Sequence, residues 1–177
     1  YFVSNGREVV VSREPGGTSI SEKLRSIVLD NANAEMDDVT EMLIYAAARA
    51  QHVAEKIRPA LERGAVVVCD RFVDSSIAYQ GFGRNLGDQV SEVNRYATGG
   101  LEPDVTFFMD LDPEIGRARI VKDVRDRLEQ QKLDFHYRVY DGYKALCDKC
   151  PERIVRIDAS KTIDEIKGDI YSKLETL

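Results

Sequence analysis

The sequence predicts an α/β fold, a parallel sheet flanked by helices, and two observations carry that reading. Four short runs are rich in β-branched and aromatic residues, and the first three hardly alternate with polar ones, which suits strands covered on both faces. Longer stretches with helical periodicity lie between them. The first strand is Glu8-Val-Val-Val-Ser12, followed by the turn Arg13-Glu-Pro-Gly-Gly-Thr18. From Val39 to Leu61 the apolar residues form one broad helical stripe, opened by Asp38 with Glu41 three residues on, a capping-box arrangement. The second strand, Ala65-Val-Val-Val-Cys69, is the most apolar. Val105-Thr-Phe-Phe-Met109 is the third, and Asp112-Pro113 opens a helix after it, with Pro at the first helical position. Ile154-Val-Arg-Ile157 is the fourth, and Thr162-Ile-Asp-Glu165 caps the last helix.

Length and composition narrow the class. With 177 residues, 43% apolar and 32% charged, the chain reads as a single domain spanning 1–177, with no repeat or linker. The net charge of −6 argues against a general nucleic-acid binder, leaving room only for a local basic pocket. No stretch approaches the ~18 apolar residues of a membrane span, and no signal peptide is visible. Three cysteines suit a reducing cytoplasm.

Ligands of such sheets bind at the carboxyl ends of the strands, and three of the four strands deliver charge there. Arg13-Glu14 follows the first, Asp70-Arg71 the second, Asp110 and Asp112 the third. Arg13 to Thr18 reads equally as a tight strand-to-helix turn or as a loop brought close to a ligand. Asp70 closes an apolar strand, the pattern of a carboxylate that holds Mg²⁺ directly or through water, and Arg71 offers a planar fork for phosphate. Tyr45 and Arg49 stand one turn apart, about 40° around the helix, flanking the core stripe. They form either a solvated rim or a ring and guanidinium for a base. Arg117, Arg119, Arg125 and Arg127 read as a solvated face or as a lid over polyphosphate, with the lid near 117–129. Cys147-Asp-Lys-Cys150 has no second pair to complete a zinc site, so no metal or redox role is expected. His52 and His136 are expected on helix surfaces.

Together these segments resemble bacterial thymidylate kinases. The matching words are Arg13-Glu-Pro-Gly-Gly-Thr18, Thr40-Glu-Met-Leu-Ile-Tyr-Ala-Ala-Ala-Arg49 and Cys69-Asp-Arg-Phe-Val-Asp-Ser-Ser-Ile-Ala-Tyr-Gln80. Pro103-Asp-Val-Thr106 and Asp126-Arg-Leu-Glu-Gln130 also fit. The resemblance implies transfer of the γ-phosphoryl of ATP to dTMP with Mg²⁺, in a cytoplasmic homodimer. It makes Arg71 the grip on the dTMP phosphate, and Tyr45 the ring stacked on thymine, where the family usually has Phe. It sets Arg49 against a thymine carbonyl, Ser76 and Gln80 against the base edge with Ser75 beside them, and Tyr79 under the sugar. Glu14 falls near sugar and phosphate, Asp70 near the metal, and Arg127 and Arg125 in the lid. Another nucleoside or nucleotide kinase, or a non-catalytic nucleotide-binding homologue, is the alternative.

One family feature has no match. No glycine here opens Gly-x-x-x-x-Gly-Lys-[Ser/Thr], the loop that cradles phosphates. The family's sheet is five-stranded, and its strand–loop–helix start takes roughly 30 residues. The sequence is therefore expected to lack that first strand and P-loop, and the segment between Arg119 and Arg127 looks shorter than in relatives.

Overall fold

The computed structural model describes residues 1–119 and 126–176. Strands and helices alternate as expected, and every strand pairing is parallel. Strand β1 (Val9–Arg13) lies beside β2 (Val66–Asp70), and β3 (Thr106–Asp110) beside β4 (Ile154–Asp158). The strands begin as expected or one residue later, and each runs one residue further. Their ladders continue into charged residues, pairing Arg13 with Asp70 and Asp110 with Asp158. Among the described residues the two pairs form separate two-stranded sheets, so the expected five-stranded sheet is not seen as such.

Helix α1 (Ser19–Leu29) is capped by Thr18, whose side chain accepts from the Ser21 N–H. Helix α2 (Asp38–His52) starts one residue earlier than expected, because Asp37 rather than Asp38 is the cap and accepts from Val39 and Thr40. Glu41 closes no capping box; it is fully buried against other segments. A π-helical stretch (Val53–Ile57) carries the axis into α3 (Arg58–Glu62).

After β2 come the short α4 (Val73–Ser76) and a second π-helical stretch, Ile77–Gly83. Helix α5 (Gln89–Thr98) ends on Gly99, whose φ of +59° suits a residue without Cβ. Helix α6 (Pro113–Arg119) follows β3, with Asp112 accepting from Glu114 N–H at its start. Helix α7 (Leu133–Lys149) crosses the second π stretch at close range, since a Cβ on Gly83 would sit 2.7 Å from Phe135 and one on Gly142 2.9 Å from Phe82. The capping box of Thr162 and Glu165 opens α8 (Ile163–Leu174) as expected.

The stripe from 39 to 61 divides. Met42, Ala46, Val53, Ile57 and Ala60 are buried, whereas Val39, Leu43, Ala47 and Ala54 face outward. The face of α2 that turns inward instead carries Glu41, Tyr45, Ala48, Arg49 and His52. Tyr45 and Arg49 are therefore not rim residues, and His52, expected on the surface, is fully buried. Polar partners from distant segments explain the rotation.

Candidate functional site

A cavity of about 460 Å³ opens at the carboxyl ends of β1, β2 and β3, within the size range of small-ligand sites. Glu14, Tyr45, Arg49, Asp70, Arg71, Ser75, Ser76, Tyr79 and Gln80 all line it. Residues spread over much of the chain thus converge because β1, β2, α2 and the second π stretch end or turn at one place.

The turn after β1 is organised by Glu22. Its carboxylate accepts from Gly17 N–H at 2.8 Å and pairs with Arg13 at 3.0 Å. Gly16 and Gly17 have φ of +125° and +87°, and a Cβ on Gly17 would lie 2.7 Å from both Ser12 Oγ and His52 Nε2. Glycine is demanded twice there, by backbone and by space.

Glu14 is buried and shared. Its Oε2 accepts from Arg49 Nε at 2.6 Å, and its Oε1 meets His52 Nδ1 at 2.8 Å. Arg49 further donates from Nη1 to Ser76 Oγ at 2.9 Å and to Asn94 Oδ1, and from Nη2 to the Phe72 carbonyl at 3.1 Å. Its guanidinium also lies 5.6 Å from the Phe72 ring centroid.

Arg71 sits at the end of β2 with φ of +68°, a left-handed conformation that costs a non-glycine residue about 1–2 kcal/mol. Its guanidinium carbon lies 5.0 Å over the Tyr79 ring, and the Tyr79 hydroxyl raises its affinity for the proton, so it stays charged. Ser75 Oγ bonds Tyr143 Oη at 2.7 Å, and burial pushes the Tyr143 phenol up to about 12. Burial likewise raises the Tyr45 phenol, keeping a neutral ring on the cavity wall.

Gln80 is fixed from behind. A carboxylate only accepts, so the Gln80 amide must turn its NH₂ toward Glu41, 2.9 Å away. Glu41 is also ion-paired to Arg84 at 2.8 Å and to Arg127. Burial alone would raise the Glu41 carboxyl, but hydrogen bonds from Arg84 and Gln80 and the charges of Arg84 and Arg127 hold it below the ordinary range.

Arg127 stands apart from expectation. It is buried, donates from Nε to the Val28 carbonyl at 3.0 Å, grips Glu41, and does not line the cavity. Those two contacts anchor its guanidinium in this conformation. Arg125 lies outside the described residues. Arg117 lines the cavity, while Arg119 donates to the Ala159 carbonyl. His136, expected on a surface, lines the cavity as well.

Three contributors escaped the sequence reading: Ser12 with His52, Asn94, and the Glu41–Arg84 pair. One signal was available, because Glu41, Tyr45, Arg49 and His52 fall at i, i+4, i+8 and i+11 on one helix face. Asn94 carried no comparable signal.

The family model for thymidylate kinase matches residues 1–170. The chain belongs to the thymidylate kinase family. It is 52% identical over 172 residues to the thymidylate kinase of Lactobacillus helveticus (strain DPC 4571), covering 95% of this chain and 81% of that enzyme. It is 56% identical over 165 residues to the thymidylate kinase of Lactobacillus delbrueckii subsp. bulgaricus, covering 90% and 77%, and 49% identical over 170 residues to that of Geobacillus sp. (strain WCH70), covering 94% and 81%. For a thymidylate kinase the cavity is chemically apt, since ring faces, amide and cations stand together at the strand ends.

Proposed function

We propose that this thymidylate-kinase-family protein transfers the γ-phosphoryl group of ATP to dTMP, giving dTDP. The observation that carries the reading is the convergence of Tyr45, Arg49, Arg71, Ser76 and Gln80 on one cavity in a chain with relatives near 50% identity. Arg71 grips the dTMP phosphate, supported by its charge at the strand end. Tyr45 stacks on the base, Ser76 and Gln80 read its edge with Ser75 beside them, and Tyr79 packs under the sugar. Thymine and cytosine share the 2-carbonyl and differ at position 4, so Arg49, which can only donate, favours the thymine carbonyl over the cytosine amine. Glu14 acts one step back, holding Arg49.

Asp70 is exposed at the end of β2 and lines the cavity, a fit for Mg²⁺, which usually takes one or two carboxylates and completes its shell with water and phosphate oxygens. When bound, the ion neutralises charge on the phosphates. Phosphoryl transfer otherwise depends on positioning, and Arg71 and the base-reading residues hold the acceptor oxygen in line. Arg125 and Arg127 belong to the proposed lid, Arg127 reaching phosphate only by leaving Glu41.

The finer fold belongs to the same proposal. A fifth parallel strand carrying the phosphate loop would join β1–β2 to β3–β4 in one single-domain sheet. The outward ridge of Val39, Leu43 and Ala47 on α2, continued by Ala54 in the π-helical stretch that follows, supports a homodimer. Among the described residues no helix is long and apolar enough to cross a membrane, and the three free cysteines support a cytoplasmic setting.

Steady-state phosphoryl transfer from ATP to dTMP, dUMP and dCMP tests the assignment. Transfer to dTMP well above dUMP, with little to dCMP, is expected; equal turnover of dTMP and dCMP defeats it.

A further inference from the structure

Arg49 has five N–H donors, and four have partners within the protein. Nε meets Glu14, Nη1 meets Ser76 and Asn94, and one N–H of Nη2 meets the Phe72 carbonyl. A single N–H on Nη2 is left for a ligand in the cavity that Arg49 lines. Where that N–H points depends on which way the buried guanidinium is held, and hence on the orientation of Glu14.

We propose that His52 is a positioning residue for the base-reading arginine: it occupies one oxygen of Glu14, so that Arg49 engages only the other and keeps an N–H for the substrate. The inference rests on the base-reading role given to Arg49 above.

The geometry is closed on every side. The Glu14 carboxylate accepts from Arg49 through Oε2, and His52 Nδ1 donates toward Oε1 at 2.8 Å. Nε2 is hydrogen-bonded to the Ser12 hydroxyl at 2.7 Å, which tethers the ring from its other side. Gly17 packs over that contact, with no room for a side chain. The row Ser12–His52–Glu14 has the composition of a nucleophilic relay, but Ser12 is buried and does not line the cavity, so the row runs inward to Arg49. Without His52, Oε1 would be buried and unpaired. A carboxylate and a guanidinium in that state favour the two-pronged fork, which would draw a second Arg49 N–H onto Glu14 and turn the last donor away from the cavity.

The test compares two ligands by calorimetric titration: dTMP, and its pyrimidin-2-one analogue, which lacks the 4-carbonyl. His52→Leu removes the donor to Glu14, whereas His52→Asn offers an amide N–H near the Nδ1 position. We expect His52→Leu to weaken dTMP binding about tenfold, the scale of one hydrogen bond to a charged group, and to change analogue binding less than twofold. His52→Asn should recover most of the dTMP affinity. Should His52→Leu not fold, Ser12→Ala leaves the imidazole in place but untethers it. A loss of about threefold on dTMP with none on the analogue supports the proposal. Equal losses on both ligands, or no loss on either, overturn it. If the unsubstituted protein binds the two ligands alike, the base-reading role of Arg49 fails first, and this inference with it.

Discussion

Glu14 and Arg49 form an ion pair 2.6 Å long in which each side chain is only 2% exposed. A charge pair this dry is stable only while both members are present, because removing one leaves the other desolvated. Glu14→Ala strands both Arg49 and His52. It should lower unfolding free energy by about 3–5 kcal/mol, the cost of breaking a buried pair. Denaturant titration of the two proteins gives the number directly, and a loss under about 1 kcal/mol would show the pair to be far better hydrated than its burial implies.

Gly17→Ala is the sharpest steric probe of the same region. The added methyl would fall 2.7 Å from Ser12 Oγ and His52 Nε2, at a φ of +87°. Strain and overpacking together should destabilise by about 2 kcal/mol or more and weaken dTMP binding, because the imidazole must move. Thermal unfolding with and without dTMP separates the two effects.

Glu41 gives a pH dependence of definite sign. Its folded carboxyl is held below the ordinary 4.5, so it binds its proton less readily folded than unfolded. Its contribution to stability is fully present above about pH 4.5 and drains away as pH falls through the lower folded value. Glu41→Gln should therefore lose stability at neutral pH and show a flatter acid limb. Unfolding free energies measured between pH 7 and 3 check this; parallel curves for the two proteins would contradict it.

Reading the sequence located the strands to within a residue because each is a dense β-branched or aromatic run that stops on charge. It placed the α2 cap at Asp38 when Asp37 serves, since neighbouring acidic residues are interchangeable until the chain entry is known. The deeper miss was which face of α2 turns inward. Hydropathy favours Val39 and Leu43 over Glu41, Arg49 and His52, yet the latter are buried. Arg49 is buried against Glu14, Ser76 and Asn94, separated from it by 35, 27 and 45 residues, and Glu41 against Gln80, Arg84 and Arg127. Periodicity cannot register partners so distant. The cavity-lining residues were legible through family words rather than periodicity, and the inward turn of Arg127 was not, because it depends on Glu41 lying 86 residues away.

Cys147 and Cys150 are free; Cys147 packs in the cluster of Phe108, Leu146 and Ile154. Burial raises the Cys147 thiol, so it is a poor nucleophile and metal ligand. Cys147→Ser with Cys150→Ser should keep kcat and KM within about twofold and cost about 1 kcal/mol, from burying a hydroxyl in an apolar cluster. Assay and denaturation of the double variant test both halves, and zinc-dependent activity would contradict the reading.

Arg71 adopts a backbone conformation in which glycine is the comfortable residue. Arg71→Gly should therefore be more stable than Arg71→Ala by about 1 kcal/mol, although both lose the proposed phosphate grip and about 10²-fold or more in kcat/KM. Paired melting curves and steady-state rates would show it. Position 71 is thus locally frustrated, with folding and chemistry preferring different residues. A screen for thermostabilising substitutions would be drawn to glycine here and steered straight into the substrate site.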